Sequence, residues 1–237
     1  PEVLDLISFL ISMGAEINVV GNSYIEIFGK SDFESTFYSV MPDRIEALTW
    51  LVFGAISAGN IIIKDVPFNN MKIPLDHIKE SGLDFFRNFK NIMLNKFCYP
   101  ANSILSFEIA TGSHPGIISD MQPFYTLLGL HANGSSRIYD YRYPERIAYC
   151  NELKKIYKKQ INSEIGLIKV DGKNNFNSVN NVNLNCTDLR GGMAVLIAAF
   201  LNDGVSQIND FDMILRGYNK LQFKLNSLGL KFENLNF

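Results

Sequence analysis

The chain repeats one pattern three times, and this repetition limits the folds that it can adopt more than any other feature. Each copy has an aspartate, an apolar helical stretch, a glycine and a strand rich in β-branched residues. Asp43, Asp120 and Asp188 occupy the same place in the copies, each directly after Pro, Ser or Thr, which is an N-cap signature. The copies cover residues 42–66, 119–140 and 187–210. Such a repeat predicts three helices that pack together with their N-termini on one side.

Amphipathic helices of a second kind recur along the chain, each followed by a turn and a strand. Their charged residues alternate with apolar ones at helical spacing, whereas the helices of the first pattern are apolar almost all round. The two patterns together predict an α/β fold of repeated βαβα units, with one buried inner helix and one half-exposed outer helix per unit. The Asn-rich stretch 174–185 predicts a polar loop that leads into a strand.

Composition narrows the classes of function. The 237 residues are 47% hydrophobic, enough for one large domain or two smaller ones, and the net charge of −2 argues against a nucleic-acid partner. The longest apolar stretch, 191–201, is much shorter than the about 20 residues of a membrane-spanning helix, so we expect no membrane partner. Cys98, Cys150 and Cys186 have no metal-ligand spacing and suit a reducing compartment, which predicts a cytoplasmic protein with buried thiols.

Arginines accompany the predicted helix starts. Arg44 and Arg190 follow their aspartates by one and two places, and Arg216 stands in LRGYNKL at the predicted start of the last outer helix. A helix N-terminus carries about half a positive charge and several unpaired N–H groups, and guanidinium groups grip phosphate or carboxylate. Converging helix starts would therefore form an anion site without a metal. The plainer alternative makes each aspartate a simple N-cap and each arginine a member of a surface ion pair.

Several segments, in this order along the chain, resemble the enolpyruvyltransferases: PEVLDLISFLISMGAEI, YSVMPDRIEALTWL, HPGIISDMQ, PERI, TDLRGG and RGYNKLQFKLNSLGLKF. DMQ after a Pro-Gly turn favours the branch that acts on UDP-N-acetylglucosamine over the branch that acts on shikimate 3-phosphate. The resemblance implies two lobes of repeated βαβαββ units, each an inside-out α/β barrel. Residues 1–41 would end the first lobe and 42–237 would form most of the second, with repeats near 42–112, 113–186 and 187–237.

The resemblance also implies a reaction. Enolpyruvyltransferases of this branch move the enolpyruvyl group from phosphoenolpyruvate to the sugar 3-hydroxyl of UDP-N-acetylglucosamine in peptidoglycan synthesis. We expect no cofactor, and the residues suggest no metal site. Asp120 matches the hydrogen-bond partner and candidate general base of that hydroxyl, and Asp188 matches a second catalytic carboxylate. Arg190 and Arg216 match the arginines that hold phosphoenolpyruvate.

Further positions follow from the same resemblance. Arg142, through its backbone, and Arg146 match the lining of the nucleotide-sugar pocket. Glu2, Asp43 and Arg44 match positions where the two lobes meet, which implies a role in lobe closure. The family's phosphoenolpyruvate-binding lysine and reactive-cysteine loop precede the segments present here. We therefore expect this chain to be inactive without the N-terminal half of the same protein as its partner.

Departures from the family pattern leave two alternatives open. Ile117, Ile118 and Ser119 replace Phe-Pro-Thr before DMQ, and Leu215 replaces an acidic residue before RGY. A homologue that binds a nucleotide sugar or a partner without catalysis would tolerate such changes, and so would a transferase with another acceptor. Among the histidines, we interpret His114 as a turn residue beside Pro-Gly, and we expect no partners for His77 and His131.

Overall fold

The computed structural model describes residues 1–21, 23–98, 104–172 and 179–233. They form two compact units, Pro1–Asp43 and Arg44–Phe237. The first unit contains helix α1 (Glu2–Ser12) and the antiparallel strands β1 (Glu16–Val20) and β2 (Tyr24–Phe28). Asp5 of α1 anchors the segment that follows the hairpin, because its Oδ1 accepts a 2.9 Å hydrogen bond from the Tyr38 hydroxyl.

The second unit opens with helix α2 (Arg44–Ile56), strand β3 (Ile61–Ile63), helix α3 (Lys72–Glu80) and strands β4 (Phe86–Arg87) and β5 (Ile92–Leu94). The strands form an antiparallel sheet in the order β3-β5-β4. Helix α2 is buried along most of its length, as predicted for an inner helix. Helix α3 buries only Pro74, Leu75 and Ile78, as predicted for an outer helix.

A complete βαβαββ unit occupies the middle of the chain. Its elements are β6 (Glu108–Thr111), α4 (Gln122–Leu130), β7 (Gly134–Asp140), α5 (Ala148–Tyr157), β8 (Ile161–Glu164) and β9 (Leu167–Gly172). Their sheet has the order β6-β7-β9-β8, in which β6 and β7 are parallel and the other neighbours antiparallel. Alternation along β7 places Ser136, Ile138 and Asp140 on its buried side.

The last part of the second unit contains β10 (Val182–Asn185), α6 (Leu189–Leu201), β11 (Ser206–Asn209), α7 (Asp212–Leu215) and α8 (Leu221–Ser227). Strands β10 and β11 are parallel, with α6 connecting them. Strand β10 confirms the strand predicted at the end of the Asn-rich stretch. Residues 173–178, which include the start of the predicted polar loop, lie outside the described residues.

The α/β fold class predicted from the two patterns is confirmed. Strand β6 precedes the predicted boundary at 113 but pairs with β7 of the following unit, and β10 precedes the boundary at 187 but pairs with β11. The pairing of parallel strands across a helix thus assigns each leading strand to the unit after it.

Helix α4 lies at the centre of the second unit and packs against both α2 and α6. All of its residues are buried, which confirms the prediction of buried inner helices. Leu127 and Leu128 are fully enclosed, and burial of a leucine stabilises a fold by roughly 1.5–3 kcal/mol.

Within the described residues, none of the helices combines the length and apolar character that crossing a bilayer requires.

Candidate active site

The start of α6 is held by a side-chain cap. Asp188 is the N-cap residue in an extended conformation, and its Oδ1 accepts hydrogen bonds from the N–H groups of Arg190 at 3.0 Å and Gly191 at 2.9 Å. A side chain at Gly191 would place its Cβ 2.5 Å from Asp188 Oδ2. The small residue therefore lets the capping carboxylate approach the helix. The predicted N-cap at Asp188 is confirmed.

The start of α4 is built differently. Asp120 lies inside a short 3₁₀ turn, Ser119–Met121, and the N-cap residue of α4 is Met121, which makes no side-chain cap. The prediction of an N-cap at Asp120 is therefore wrong. Pro123 in the first turn has no N–H group to satisfy, which reduces the need for a cap.

Asp120 instead faces two arginines. Its Oδ1 accepts a 2.7 Å hydrogen bond from Arg146 Nη1, and its Oδ2 lies 3.6 Å from Arg190 Nε. Its side chain is 35% exposed, so the carboxylate remains accessible from solvent. The Asp120–Arg190 contact also shows that α4 and α6 begin on the same side of the unit, as predicted. We call Arg146, Asp120 and Arg190 the arginine–aspartate cluster.

Packing between two motifs of the sequence fixes Arg190. Its guanidinium lies 5.1 Å from the centre of the Tyr218 ring, and the Tyr218 hydroxyl shares a 2.9 Å hydrogen bond with the hydroxyl of Thr49 in α2. A Cβ at Gly217 would lie 2.5 Å from a methyl carbon of Leu189. The absence of a side chain at Gly217 thus lets RGY pack closely against TDLR.

Arg142 and Arg216 occupy other surroundings. The backbone N–H of Arg142 donates a 3.0 Å hydrogen bond to Asp140 Oδ1, so this donor is already used inside the protein. Arg216 is exposed at the C-terminal end of α7, five residues before α8 begins, so its predicted place at the start of the last outer helix is wrong. Across the described residues, no hydrogen bond or ion pair joins Arg216 to the arginine–aspartate cluster.

The residues assigned to lobe closure are divided between the two units. Arg44 is 4% exposed at the start of α2, and its Nη1 lies 3.5 Å from Nδ1 of the exposed His114. His114 precedes a cis proline in a turn, as its interpretation as a turn residue requires. Glu2, which faces the Pro1 amino group at 3.6 Å, and Asp43 belong to the first unit. Their role in closure stays a prediction.

The remaining histidines and the cysteines lie in buried surroundings. His131 Nε2 lies 3.1 Å from the Tyr157 hydroxyl, so the expectation that His131 has no partner is wrong, and burial lowers its pKa to about 4. Burial likewise lowers the pKa of His77.

All three cysteines are buried, which confirms the prediction of buried thiols, and burial raises the pKa of Cys150 and of Cys186 to about 12. No group of potential metal ligands occurs among the described residues.

Asp140 is not among the predicted site residues. It is 1% exposed and hydrogen-bonded to residues on both sides of Asp120 and to the loop after β7. The signal lies in SSRIYDY, where alternation from Ile138 places an acidic residue on the buried side of a strand. An acidic residue at such a position needs several hydrogen-bond donors.

Two solved structures of enolpyruvyl-transferring enzymes share the fold of this chain. The crystal structure of the enolpyruvyl transferase NikO from Streptomyces tendae superposes with a TM-score of 0.82 at 24% identity, covering 97% of this chain and 53% of that one. EPSP synthase from Acinetobacter baumannii gives a TM-score of 0.69 at 17% identity, covering 96% of this chain and 54% of that one. The second unit thus has the lobe architecture of enolpyruvyl transferases, an inside-out α/β barrel built from βαβαββ units.

The family model of EPSP synthase (3-phosphoshikimate 1-carboxyvinyltransferase) matches residues 1–225. The chain therefore belongs to the EPSP synthase family, as the sequence motifs indicated.

Curated relatives share a more specific name. UDP-N-acetylglucosamine 1-carboxyvinyltransferase from Campylobacter lari is 32% identical over 99% of this chain and 55% of its own length. UDP-N-acetylglucosamine 1-carboxyvinyltransferase 2 from Lactiplantibacillus plantarum is 32% identical over 98% of this chain and 53% of its own length. The chain spans about half the length of the curated relatives that it matches.

Proposed function

We propose that the full-length protein transfers the enolpyruvyl group of phosphoenolpyruvate to the 3-hydroxyl of UDP-N-acetylglucosamine and releases phosphate, as a cytoplasmic step of peptidoglycan synthesis. The arginine–aspartate cluster carries this proposal, because Asp120 lies 2.7 Å from Arg146 and 3.6 Å from Arg190. A partly exposed carboxylate between two guanidinium groups offers a base for a hydroxyl and cations for a phosphate in one place. The names of the curated relatives support the acceptor.

Each residue of the site has a chemical task in this reaction. The acceptor oxygen forms a bond to C2 of phosphoenolpyruvate, the bond from C2 to the phosphate oxygen breaks, and Asp120 receives the hydroxyl proton. Arg190 and Arg216 hold the phosphoenolpyruvate anion, since guanidinium groups bind phosphate and carboxylate bidentately. Asp188 acts beside them by fixing the first turn of α6, from which Arg190 projects.

The nucleotide sugar would bind on the side of Asp120 that faces Arg146, away from the phosphoenolpyruvate held by Arg190. Arg146 lies in the segment between β7 and α5, and its guanidinium lies 4.7 Å from the centre of the Tyr143 ring. Arg142 lies in the same segment, 5.5 Å from that ring, and would contribute its carbonyl because its N–H is bonded to Asp140. This segment offers positive charge and an aromatic face to a nucleotide diphosphate.

Activity in this proposal requires the N-terminal half of the protein, with Glu2, Asp43 and Arg44 serving lobe closure. A different acceptor is the second candidate. It is favoured by Ile117, Ile118 and Ser119, which stand directly before Asp120 where the motif of the proposed branch reads Phe-Pro-Thr.

The test measures phosphate release by the full-length protein with phosphoenolpyruvate and either UDP-N-acetylglucosamine or shikimate 3-phosphate. With phosphoenolpyruvate present, we expect turnover when UDP-N-acetylglucosamine is the acceptor and none when shikimate 3-phosphate is the acceptor. Asp120→Ala should lower kcat by about 100-fold or more, because a general base contributes about 10²–10⁴-fold. It should leave phosphoenolpyruvate binding largely intact, whereas Arg190→Ala should weaken binding and turnover together.

Arg137→Gln is the matched control, because Arg137 is exposed and pairs with Glu108 on the sheet. It should leave both measurements unchanged. Near wild-type turnover in Asp120→Ala would remove its proposed role. Turnover with shikimate 3-phosphate but not with UDP-N-acetylglucosamine would show that the acceptor is shikimate 3-phosphate. An absence of turnover with both acceptors would contradict the proposed transfer to UDP-N-acetylglucosamine.

A further inference from the structure

A buried carboxylate lies directly behind the arginine–aspartate cluster. Asp140 is the last residue of β7 and is 1% exposed. It follows Ser136 and Ile138 on the buried side of the strand, so the pleat itself directs its side chain inward. Burial of a carboxylate is costly unless donors surround it, and these donors show which parts of the protein Asp140 connects.

Four donors converge on Asp140. Its Oδ1 accepts hydrogen bonds from the Ser119 hydroxyl at 2.9 Å and from the backbone N–H groups of Arg142 at 3.0 Å and Tyr143 at 2.9 Å. Its Oδ2 accepts a 3.2 Å hydrogen bond from Gln122 Nε2. No lysine or arginine among the residues that the structure describes forms an ion pair with it. Neutral donors from two different segments therefore balance this charge.

The two segments are those that carry the Asp120–Arg146 pair. Ser119 directly precedes Asp120, and Gln122 follows it by two residues. Arg142 and Tyr143 begin the segment that leads to Arg146. One carboxylate is thus bonded on both sides of Asp120 and at the root of the segment that bears Arg146.

Gln122 is itself oriented by buried groups. Its Oε1 accepts a 3.1 Å hydrogen bond from the Tyr149 hydroxyl, which shares a 2.8 Å hydrogen bond with the Thr126 hydroxyl. An exchange of the two ends would set Oε1 against the Asp140 carboxylate, so the amide directs Nε2 to Asp140 and Oε1 to Tyr149. Such a satisfied network holds its members in one arrangement.

We propose that Asp140 is a positioning residue that holds Asp120 opposite Arg146. Its effect on catalysis rests on the proposed function, whereas its effect on the turn around Asp120 does not. Asp140→Asn keeps the size of the side chain and removes its charge. Its NH₂ group would oppose Gln122 Nε2 unless the Gln122 amide turned over, and turning over would take Oε1 away from the Tyr149 hydroxyl. The oxygen at the Oδ1 position can keep its three hydrogen bonds.

The first experiment measures steady-state kinetics of the full-length protein. Asp140→Asn should lower kcat by about 10–100-fold, because small displacements of a catalytic group cost up to about 100-fold. The KM for phosphoenolpyruvate should stay within about twofold, since Arg190 is held by other contacts. The double variant Asp120→Ala/Asp140→Asn should be no slower than Asp120→Ala alone, because Asp140 acts through Asp120. Additive losses, or a wild-type kcat in Asp140→Asn, would overturn the proposal.

The second experiment needs no activity and uses hydrogen–deuterium exchange of this chain. Asp140→Asn should speed exchange of the amides in residues 117–122 and leave residues 189–192, at the start of α6, unchanged. Ser119→Ala, which removes one donor, should act in the same direction with a smaller effect. Asp171→Asn is the matched control, because the exposed Asp171 also accepts a serine hydroxyl, from Ser135, on the same sheet.

The two experiments separate the two proposals. If the full-length protein turns over neither acceptor, the proposed function fails and exchange alone decides the role of Asp140. Unchanged exchange in residues 117–122 would overturn the positioning role. So would a rise of equal size in residues 189–192, because it would report a general loss of stability rather than release of the turn around Asp120.

Discussion

Helices α4 and α6 are neighbours with the same pattern in sequence, yet their first turns use an aspartate in different ways. Asp188 directs its carboxylate at the N–H groups of its own helix, 3.0 and 2.9 Å away. Asp120 directs its carboxylate away from its helix, at Arg146 and Arg190. One carboxylate accepts hydrogen bonds from the backbone, and the other is paired with arginine side chains.

In the proposed function, this difference divides a structural task, at Asp188, from a chemical one, at Asp120. Helix α6 needs its cap, because four N–H groups at a helix start lack partners within the helix. Helix α4 begins with a 3₁₀ turn and a proline, and it is fixed by buried side chains along its length. Gln122 bonds to Asp140 and Tyr149 at one end, and His131 bonds to Tyr157 at the other. A helix anchored in this way frees Asp120 from capping.

The largest expected difference between the two helices is in how the pH changes the free energy of unfolding. His131 follows α4, whereas α6 contains no histidine. Burial lowers the pKa of His131 to about 4, below the about 6.5 of an unfolded histidine. The unfolded chain therefore binds the proton first as pH falls. Stability is retained above about pH 6.5 and should fall by up to about 3 kcal/mol toward pH 4.

Urea denaturation followed by the fluorescence of Trp50 measures this effect, because Trp50 is the single tryptophan and lies in α2, which packs against α4. His131→Gln should flatten the loss of unfolding free energy between pH 7 and pH 4. His114→Gln, at an exposed position, should keep the wild-type slope. Identical slopes in the wild type and His131→Gln would refute this account of α4.

The next effect concerns the cap of α6. Asp188→Ala should lower the free energy of unfolding by about 1 kcal/mol, because the N–H groups of Arg190 and Gly191 lose their acceptor. Asp188→Asn should lose much less, since asparagine caps about as well as aspartate. The same urea titration checks both variants. An equal loss in the two would show that the charge of Asp188, and not its cap, stabilises the helix.

The smallest effect is expected at Asp120. Asp120→Ala should change the free energy of unfolding by no more than about 0.5 kcal/mol, because a partly exposed ion pair contributes little to stability. The urea titration used for Asp188 applies, with Asp188→Ala as the positive control. A loss as large as that of Asp188→Ala would remove the distinction between the two aspartates.

Much of the second unit was predictable from local patterns. The apolar stretches became buried helices, because a helix that is apolar on all sides can only lie inside the protein. The cap at Asp188 was predictable as well, since capping depends on a few adjacent residues, but the same pattern wrongly predicted a cap at Asp120, where a 3₁₀ turn precedes α4. The start of α8 was not, because Arg216 belongs to the end of α7, a short helix that carries little periodic signal.

The sequence by itself determined the repeat, the family and the residues available for chemistry. Tertiary structure alone decided which of these residues meet. Asp120, Arg146 and Arg190 come from a turn, a loop and a helix that are distant in sequence. The packing of α4 against α6 brings Asp120 within 3.6 Å of Arg190, and the segment between β7 and α5 brings Arg146 within 2.7 Å of Asp120. Tertiary structure likewise decided that Asp140 is buried behind them, because its donors come from both sides of β7 in the chain. Capping is a local interaction that a sequence pattern can encode, whereas a cluster depends on contacts between distant segments.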